Sequence, residues 1–177
     1  KPIRFHVNAS SEMATPMRGV NELIANLAES GLHLAIATNP LFVVTATHER
    51  VRWAGLDPST PFALVTTADN MHFTKPHPHF YEEVLARLGV EAEDALMVGD
   101  NFDNDIRPAL SIGMSAYWVT SSSAGGEQSS QLPTDLDTSR MAQGSLAELQ
   151  QRLADGWPSP LPAPPTIEQA VKRLPPR

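Results

Sequence analysis

The sequence predicts an α/β fold built around a parallel sheet. Short apolar runs alternate along the chain with segments whose apolar residues recur at helical spacing. Strands that alternate with helices are typical of right-handed βαβ units around a parallel sheet. Polar residues follow several of the apolar runs, and in an open parallel sheet the reactive groups gather beyond the carboxyl ends of the strands. We therefore expect the functional residues at those ends.

Four short apolar runs predict the strands of this sheet. Runs of this length are typical of strands that are buried on both faces, and turn-forming or polar residues bound them. The four runs are LHLAIAT (32–38), FALVTTA (62–68), ALMVG (95–99) and SAYWV (115–119).

Five segments predict helices. In the first, apolar residues fall at helical spacing from Val20 to Ala28, and Gly31 stands where a left-handed C-terminal cap belongs. The other four are a segment at about 41–55, one marked by Tyr81, Val84, Leu85 and Leu88 before Gly89, one with Ile106, Ala109 and Leu110 on its face, and one with Leu146, Leu149 and Leu153.

Composition and charge exclude several classes of function. A chain of 177 residues suits one domain, and 41% apolar with 19% charged residues is typical of globular proteins. The net charge of −7, without a basic cluster, argues against nucleic-acid binding. The absence of cysteine excludes disulfides and thiolate metal sites. No apolar run approaches the ~18 residues of a membrane span and none resembles a signal peptide, so we expect a cytoplasmic location.

Residues 100–105 gather three carboxylates directly after a predicted strand. Asp100, Asp103 and Asp105 fall within six residues. Two carboxylates about 4 Å apart repel by roughly 4 kcal/mol at an effective dielectric near 20, so a cation must compensate them if they converge. Oxygen ligands favour Mg²⁺, which accepts one or two protein carboxylates together with waters and substrate phosphate.

Two other roles for these acids stay open on the sequence. Asp105 could hold the ammonium group of Lys75 instead of a metal. The whole stretch could also be a solvated capping turn, in which Asp103 or Asn104 caps the following helix. Pro108 suits the first turn of that helix, because the first four helical N–H groups lack intrahelical partners.

Thr38, Asn39 and Lys75 also follow predicted strands. A hydroxyl and backbone N–H groups at a strand end form a phosphate cradle, and a lysine supplies a positive point charge. Taken singly, Thr38 suits a turn and Lys75 suits the surface. Their order and spacing together with Asp100 indicate a phosphate site.

Three stretches share the order of motifs in a known family. They are LAIATN, KPHPHFYEEVLARLG and MVGDNFDNDIRPALSIGM, and together they resemble the second, third and fourth motifs of the haloacid dehalogenase-like superfamily, the fourth being GDxxxxD. The likeness covers about residues 16–120 and implies a Rossmann-like, three-layer αβα core. By this resemblance, Thr38 and Asn39 bind the transferring phosphoryl group, Lys75 stabilises it, Asp100 coordinates Mg²⁺, and Asp105 supports the lysine or the metal.

The family's first motif has no match in this chain. That motif is an Asp-x-Asp at the end of a central strand, and its first aspartate is the nucleophile, but residues 1–37 contain no aspartate. TDLDTS, with Asp135 and Asp137, lacks a preceding apolar strand and is expected to be a turn. Without the nucleophile strand, two facing strands would leave backbone groups unpaired. We therefore expect an incomplete fold whose nucleophile strand lies upstream.

The resemblance and the composition together predict the domain organisation. Residues 1–15 are expected to be the remnant of a cap or linker, and residues 16–120 the core. Residues 121–143 have the composition of a flexible linker, residues 144–156 form a C-terminal helix, and residues 157–177 hold seven of the sixteen prolines and form an extended tail.

The resemblance implies a Mg²⁺-dependent phosphatase of a small phosphorylated metabolite. The reaction would pass through an aspartyl-phosphate whose nucleophile lies outside this chain, so the 177 residues alone are expected to be inactive. A non-catalytic phosphate-binding or scaffold module and a haloacid dehalogenase-type hydrolase stay as alternatives. Besides the substrate, the expected partner is the missing N-terminal segment of the same protein, and neither nucleic acid nor membrane is expected.

Overall fold

The structure, a computed structural model, describes residues 19–56, 60–120 and 137–158. Its helices are α1 (Val20–Glu29), α2 (Val44–Trp53), α3 (Pro78–Leu88), α4 (Arg107–Ser111) and α5 (Leu146–Ala154). Its strands are β1 (Ala35–Ile36), β2 (Leu64–Val65), β3 (Leu96–Gly99), β4 (Ser115–Val119) and β5 (Met141–Gly144). A π-helical turn (Phe102–Ile106) leads from β3 into α4.

Several predictions fall outside these residues and stay predictions. They concern the cap remnant (1–15), most of the linker (121–136, which includes Asp135) and the proline-rich tail from residue 159.

The strands form two parallel sheets. β1 pairs with β2, and β3, β4 and β5 follow one another in that order. Every strand pairing in the described part of the chain is parallel, which confirms the predicted α/β class. β1 and β3 are each paired along one edge only within the described residues.

Helices cover both faces of the larger sheet. On one face, Tyr117 of β4 packs against Leu23 of α1 and Leu149 of α5. On the other face, Met97 of β3 lies in a buried cluster with residues of α3 and α4. Alternate residues of a strand point to opposite faces, so β3 contributes Leu96 to the first cluster and Met97 to the second. The predicted three-layer arrangement is thus present around β3 and β4.

Local sequence signals set the ends of two helices, and the end of α3 at Gly89 is the one that was predicted. His77 is the N-cap of α3, and its Nδ1 accepts the N–H of His79 at 3.2 Å. Gly89 ends α3 with a left-handed φ of 66°, a conformation that glycine adopts without steric penalty. In α5, Ser145 and Glu148 form a reciprocal capping box.

The structure differs from the predictions at three places. β5 lies where a linker was predicted, so the linker assignment is wrong for residues 141–143. This strand contains no β-branched residue, and it forms because β4 pairs with it in register. β1 and β2 are shorter than predicted, and among the described residues they pair only with each other. Asn101, rather than Asp103 or Asn104, caps the turn that leads into α4, and its Oδ1 accepts the N–H of Asn104 at 2.9 Å.

None of the helices in the described ranges combines the length and the hydropathy that a membrane span requires.

Candidate active site

A cavity of about 1140 Å³ brings the predicted site residues together. Its walls include residues of β1 and β3, and its polar end lies beyond the carboxyl ends of both strands. The predicted residues that line it are Thr38, Asn39, Lys75, Asp100 and Asp105. These residues come from three separate segments of the chain, so the fold itself produces their juxtaposition. The roles assigned to them from the sequence stay predictions.

Lys75 and Asp105 form a shielded ion pair. The distance from Lys75 Nζ to Asp105 Oδ1 is 2.6 Å, and the two side chains are only 10% and 9% exposed. The second carboxylate oxygen of Asp105 accepts the backbone N–H of Asn101 at 3.1 Å. The lysine ammonium also lies 5.7 Å from the centre of the Phe80 ring. Both carboxylate oxygens of Asp105 therefore have hydrogen-bond partners, one in the Lys75 ammonium group and one in the backbone N–H of Asn101.

The end of β1 is held by a buried hydroxyl of Thr66, the residue that directly follows β2. Oγ1 of Thr66 donates to the backbone oxygen of Thr38 at 2.5 Å and lies 3.2 Å from the backbone oxygen of Ile36. Thr66 is fully buried. The Thr38 hydroxyl itself has no hydrogen-bond partner among the described residues, so it is available to a ligand in the cavity.

Asn39 joins the β1 end to the lysine loop. Its Oδ1 accepts the backbone N–H of Lys75 at 3.3 Å. The side-chain oxygen of Asn39 thus has a structural partner, while its amide NH₂ group has none among the described residues. This hydrogen bond links the loop that carries Lys75 to the segment that follows β1.

Two buried aromatic donors hold the acidic turn, by which we mean residues 100–105. Nε1 of Trp118 donates to the backbone oxygen of Asp100 at 3.1 Å. The hydroxyl of Tyr81 donates to the backbone oxygen of Asn104. Trp118 also packs edge-on against Phe102, with ring centroids 5.2 Å apart. Sequence reasoning missed both hydrogen bonds, although a buried Tyr or Trp usually finds a partner for its polar atom.

Gly99 leaves the space that Asp105 occupies. A Cβ atom at residue 99 would lie 2.5 Å from both Cβ and Oδ2 of Asp105. This distance is far below van der Waals contact, so any side chain at residue 99 would displace Asp105 or the strand. The close approach of Asp105 therefore explains why the residue before Asp100 in the GDxxxxD motif is glycine in this structure.

Of the three acidic side chains in the turn, only Asp100 forms no ion pair with a described residue. Asp103 pairs with Arg107 at 3.1 Å on the surface, and Asp105 pairs with Lys75. The described residues contain no cluster of three or more potential metal ligands. Mg²⁺ commonly takes one or two protein carboxylates and completes its shell with water and phosphate. The carboxylate of Asp100 therefore fits the role of the single Mg²⁺ ligand from this turn.

Asp137 lies apart from this cavity. It is not among the residues that line the cavity, and its Oδ1 accepts the backbone N–H of Ser139 at 2.9 Å. Its role as a turn-forming residue agrees with the prediction.

Comparison with known proteins gives a consistent result. Residues 3–119 match the family model described as "Haloacid dehalogenase-like hydrolase". The chain is similar to the glyceraldehyde 3-phosphate phosphatase of Methanothermobacter thermautotrophicus, with 30% identity over 119 residues, which are 67% of this chain and 50% of that protein. The chain spans about half the length of the curated relatives it matches.

The fold of this chain is also similar to that of solved structures. A HAD phosphatase from Thermococcus onnurineus superposes with a TM-score of 0.59 and 26% identity, covering 77% of this chain and 57% of the other. A 2-haloacid dehalogenase from Pseudomonas syringae pv. Tomato superposes with a TM-score of 0.56 and 27% identity, covering 78% of this chain and 53% of the other.

Proposed function

Because the chain belongs to the haloacid dehalogenase-like hydrolase family, we propose that it hydrolyses a small phosphorylated metabolite with the help of Mg²⁺ held by Asp100. The observation that carries this proposal is that Thr38, Lys75 and Asp100 line one cavity at the ends of β1 and β3. Several relatives are named phosphatases, which supports phosphate esters as the substrate class.

Lys75 would bind and stabilise the phosphoryl group. An ammonium group has three N–H donors, and in this structure one of them contacts Asp105. Two donors are left for phosphate oxygens, and the short contact with Asp105 keeps the ammonium aimed from a fixed position. Fixed donors stabilise the charge that develops in a transition state better than mobile ones.

Thr38 and Asn39 would hold the opposite side of the phosphoryl group. The Thr38 hydroxyl is unpaired among the described residues, and the backbone beneath it is held by Thr66. The NH₂ group of Asn39 adds a neutral donor. Bound Mg²⁺ would neutralise phosphate charge, with Asp100 as its ligand from this chain.

The nucleophile would come from a strand that fills the apolar part of the cavity. β1 and β3 each have an unpaired edge on this cavity within the described residues, and apolar side chains of α1, α3 and α5 line it. Val98 of β3 lines it as well and is 39% exposed. A parallel strand inserted here would pair both edges, cover Val98 and present a carboxylate at its end beside Thr38, Lys75 and Asp100.

On this proposal, that carboxylate attacks phosphorus and the bond to the leaving alcohol breaks. Water then cleaves the aspartyl-phosphate. The strand would belong to an N-terminal segment of the same protein, and the 177 residues alone would show no turnover. A cytoplasmic location also stays a prediction.

A phosphatase assay of the complete protein, translated from the whole reading frame, tests the proposal. Phosphate release from a panel of small phosphomonoesters should require Mg²⁺. The Asp100→Asn variant should lose both Mg²⁺ affinity and activity, whereas the control Asp135→Asn should change neither. Absence of turnover with an intact upstream Asp-x-Asp would contradict the proposal, and so would full activity of Asp100→Asn.

The likeness to a 2-haloacid dehalogenase makes dehalogenation the second candidate. The same protein preparation should therefore be assayed for chloride release from a 2-chloro acid with a chelator present. Chloride release without metal would favour the dehalogenase. Phosphate binding without any turnover would favour a non-catalytic module.

A further inference from the structure

The backbone oxygen of Asn104 lacks the donor that a regular helix would give it. In an α-helix this oxygen would accept the N–H of residue 108, but residue 108 is proline and has no N–H. Asn104 belongs to the π-helical turn Phe102–Ile106, which leads into α4. The hydroxyl of Tyr81, which comes from α3, donates to this oxygen instead.

Tyr81 is suited to hold this oxygen at a fixed place. Its side chain is 1% exposed and packs in the core cluster of α3, β3 and α4 with Phe80 and Met97. Burial, and next the negative charge of Asp105, raise the pKa of the Tyr81 hydroxyl well above its ordinary value. The hydroxyl therefore keeps its proton and acts as a donor at every physiological pH.

Tyr81 also connects the two parts of the chain that form the ion pair. Lys75 lies six residues before Tyr81 in the same loop-and-helix segment, and Asp105 directly follows Asn104. Two interactions therefore connect the acidic turn to α3 and the loop before it. One is the hydrogen bond from Tyr81 to Asn104, and the other is the ion pair between Lys75 and Asp105. The Asn104 oxygen and the N–H of Asp105 belong to the same peptide group, and this N–H donates to the backbone oxygen of Asn101 at 2.8 Å, so a shift of that oxygen would move the donor of this bond as well.

We propose that Tyr81 is a positioning residue, whose hydroxyl replaces the N–H missing at Pro108 and thereby fixes Asp105 against Lys75. The effect on catalysis rests on the proposed function, because Lys75 is the group that would contact phosphate. The effect on the acidic turn itself does not depend on that function. Tyr81→Phe keeps the buried ring and removes only the donor.

Tyr117 offers a matched control. It is also fully buried, and its hydroxyl donates to the backbone oxygen of Ser145 at 2.9 Å, at the start of α5 on the other face of the sheet. Tyr117→Phe thus removes the same kind of hydrogen bond and does not touch the cavity. A Tyr81 hydroxyl with a merely structural role should behave like the Tyr117 hydroxyl.

Amide hydrogen exchange on the complete protein, followed by NMR, tests the positioning directly. In Tyr81→Phe the amides of Asn101 and Asp105 should exchange at least about tenfold faster than in the wild type, because the turn opens locally. In Tyr117→Phe these two amides should be unchanged. Unchanged exchange in Tyr81→Phe, or equal acceleration by both variants, would overturn the proposal whether or not the protein is a phosphatase.

Kinetics of phosphate release give the second readout. In Tyr81→Phe kcat should fall roughly tenfold to a hundredfold with a much smaller change in KM, because Lys75 is misplaced in the transition state. Tyr117→Phe should keep the wild-type kcat. In a Pro108→Ala background, which restores an N–H at residue 108, the effect of Tyr81→Phe on kcat should shrink to about threefold or less. The same fall of kcat in both backgrounds would contradict the replacement of the Pro108 N–H.

Discussion

Lys75 Nζ lies 2.6 Å from Asp105 Oδ1, and 30 residues of chain separate the two. Both side chains are about nine-tenths shielded from solvent. Removing one partner of a shielded pair leaves a charge that neither water nor a counter-ion compensates, and such a change is strongly destabilising. The pair therefore links the lysine loop to the acidic turn energetically as well as geometrically.

Asp105→Asn should lower the free energy of unfolding by about 3–5 kcal/mol, because the Lys75 ammonium stays buried without its counter-charge. Asp103→Asn makes the same chemical change in the same turn, but its partner Arg107 and Asp103 itself are 43% and 77% exposed. For this control we expect the free energy of unfolding to fall by less than about 1 kcal/mol. Urea denaturation of both variants measures the difference, and equal losses would contradict a special role for the buried pair.

Gly99→Ala should displace Asp105 and lower both stability and activity. The new Cβ atom would lie 2.5 Å from Oδ2 of Asp105, and overpacking of this kind destabilises by about 1–3 kcal/mol. Gly31→Ala is the control, since it has open space for a Cβ but a left-handed φ of 78°. That change should lower stability by about 1 kcal/mol and leave activity intact. An active Gly99→Ala enzyme would speak against the steric argument.

Thr66→Val should change substrate affinity through the backbone of Thr38. The change leaves the Thr38 oxygen without its donor, and we expect a loss of about 1–3 kcal/mol in stability together with a raised KM. Thr47→Val is a matched control, because Thr47 is also buried and its hydroxyl donates to the backbone oxygen of Phe42 at 3.2 Å. Both variants should lose stability, but only Thr66→Val should alter KM. Equal kinetics of the two would contradict a positioning effect of Thr66.

Glu83 should contribute to the acid sensitivity of the fold. Burial acts to raise its pKa, but hydrogen bonds from the backbone and ring of His72 and from Arg87 outweigh it and hold the pKa at about 2, below the ordinary 4.5. A lowered pKa in the folded state gives stability that is present above pH 4.5 and is lost as the pH falls toward about 2.

Glu83→Gln should therefore lower the free energy of unfolding at pH 7 and flatten its decline between pH 4.5 and about 2. Glu82→Gln is the control, because Glu82 pairs with His79 on the surface, where both side chains are about half exposed. Urea denaturation across this pH range measures both. If the free energy of unfolding of Glu83→Gln declined with falling pH as steeply as that of the wild type, Glu83 would not be a source of the acid sensitivity.

The parts of the fold that the sequence predicts are those that local residues determine. Gly89 ends α3 and the short apolar runs form strands, because these features depend on residues that are close together in the chain. The convergence of Thr38, Lys75 and Asp100 was predictable as well. It follows from the rule that parallel strands gather their carboxyl ends at one edge.

The interactions that the sequence did not predict join residues that are far apart in the chain. Trp118 and Asp100 are 18 residues apart, and nothing in either local sequence encodes the direction of the indole N–H. β5 was missed for the same reason, since its pairing with β4 and not its composition makes it a strand. The choice between metal and lysine for Asp105 likewise required its distance to Lys75.

A crystal structure of the complete protein with Mg²⁺ and orthovanadate, a phosphate mimic, tests the central claim most directly. We predict vanadate within hydrogen-bonding distance of the Thr38 hydroxyl and of Lys75 Nζ, with Mg²⁺ bound to the Asp100 carboxylate. Vanadate bound at another place on the molecule, with Thr38 and Lys75 free of it, would contradict the account.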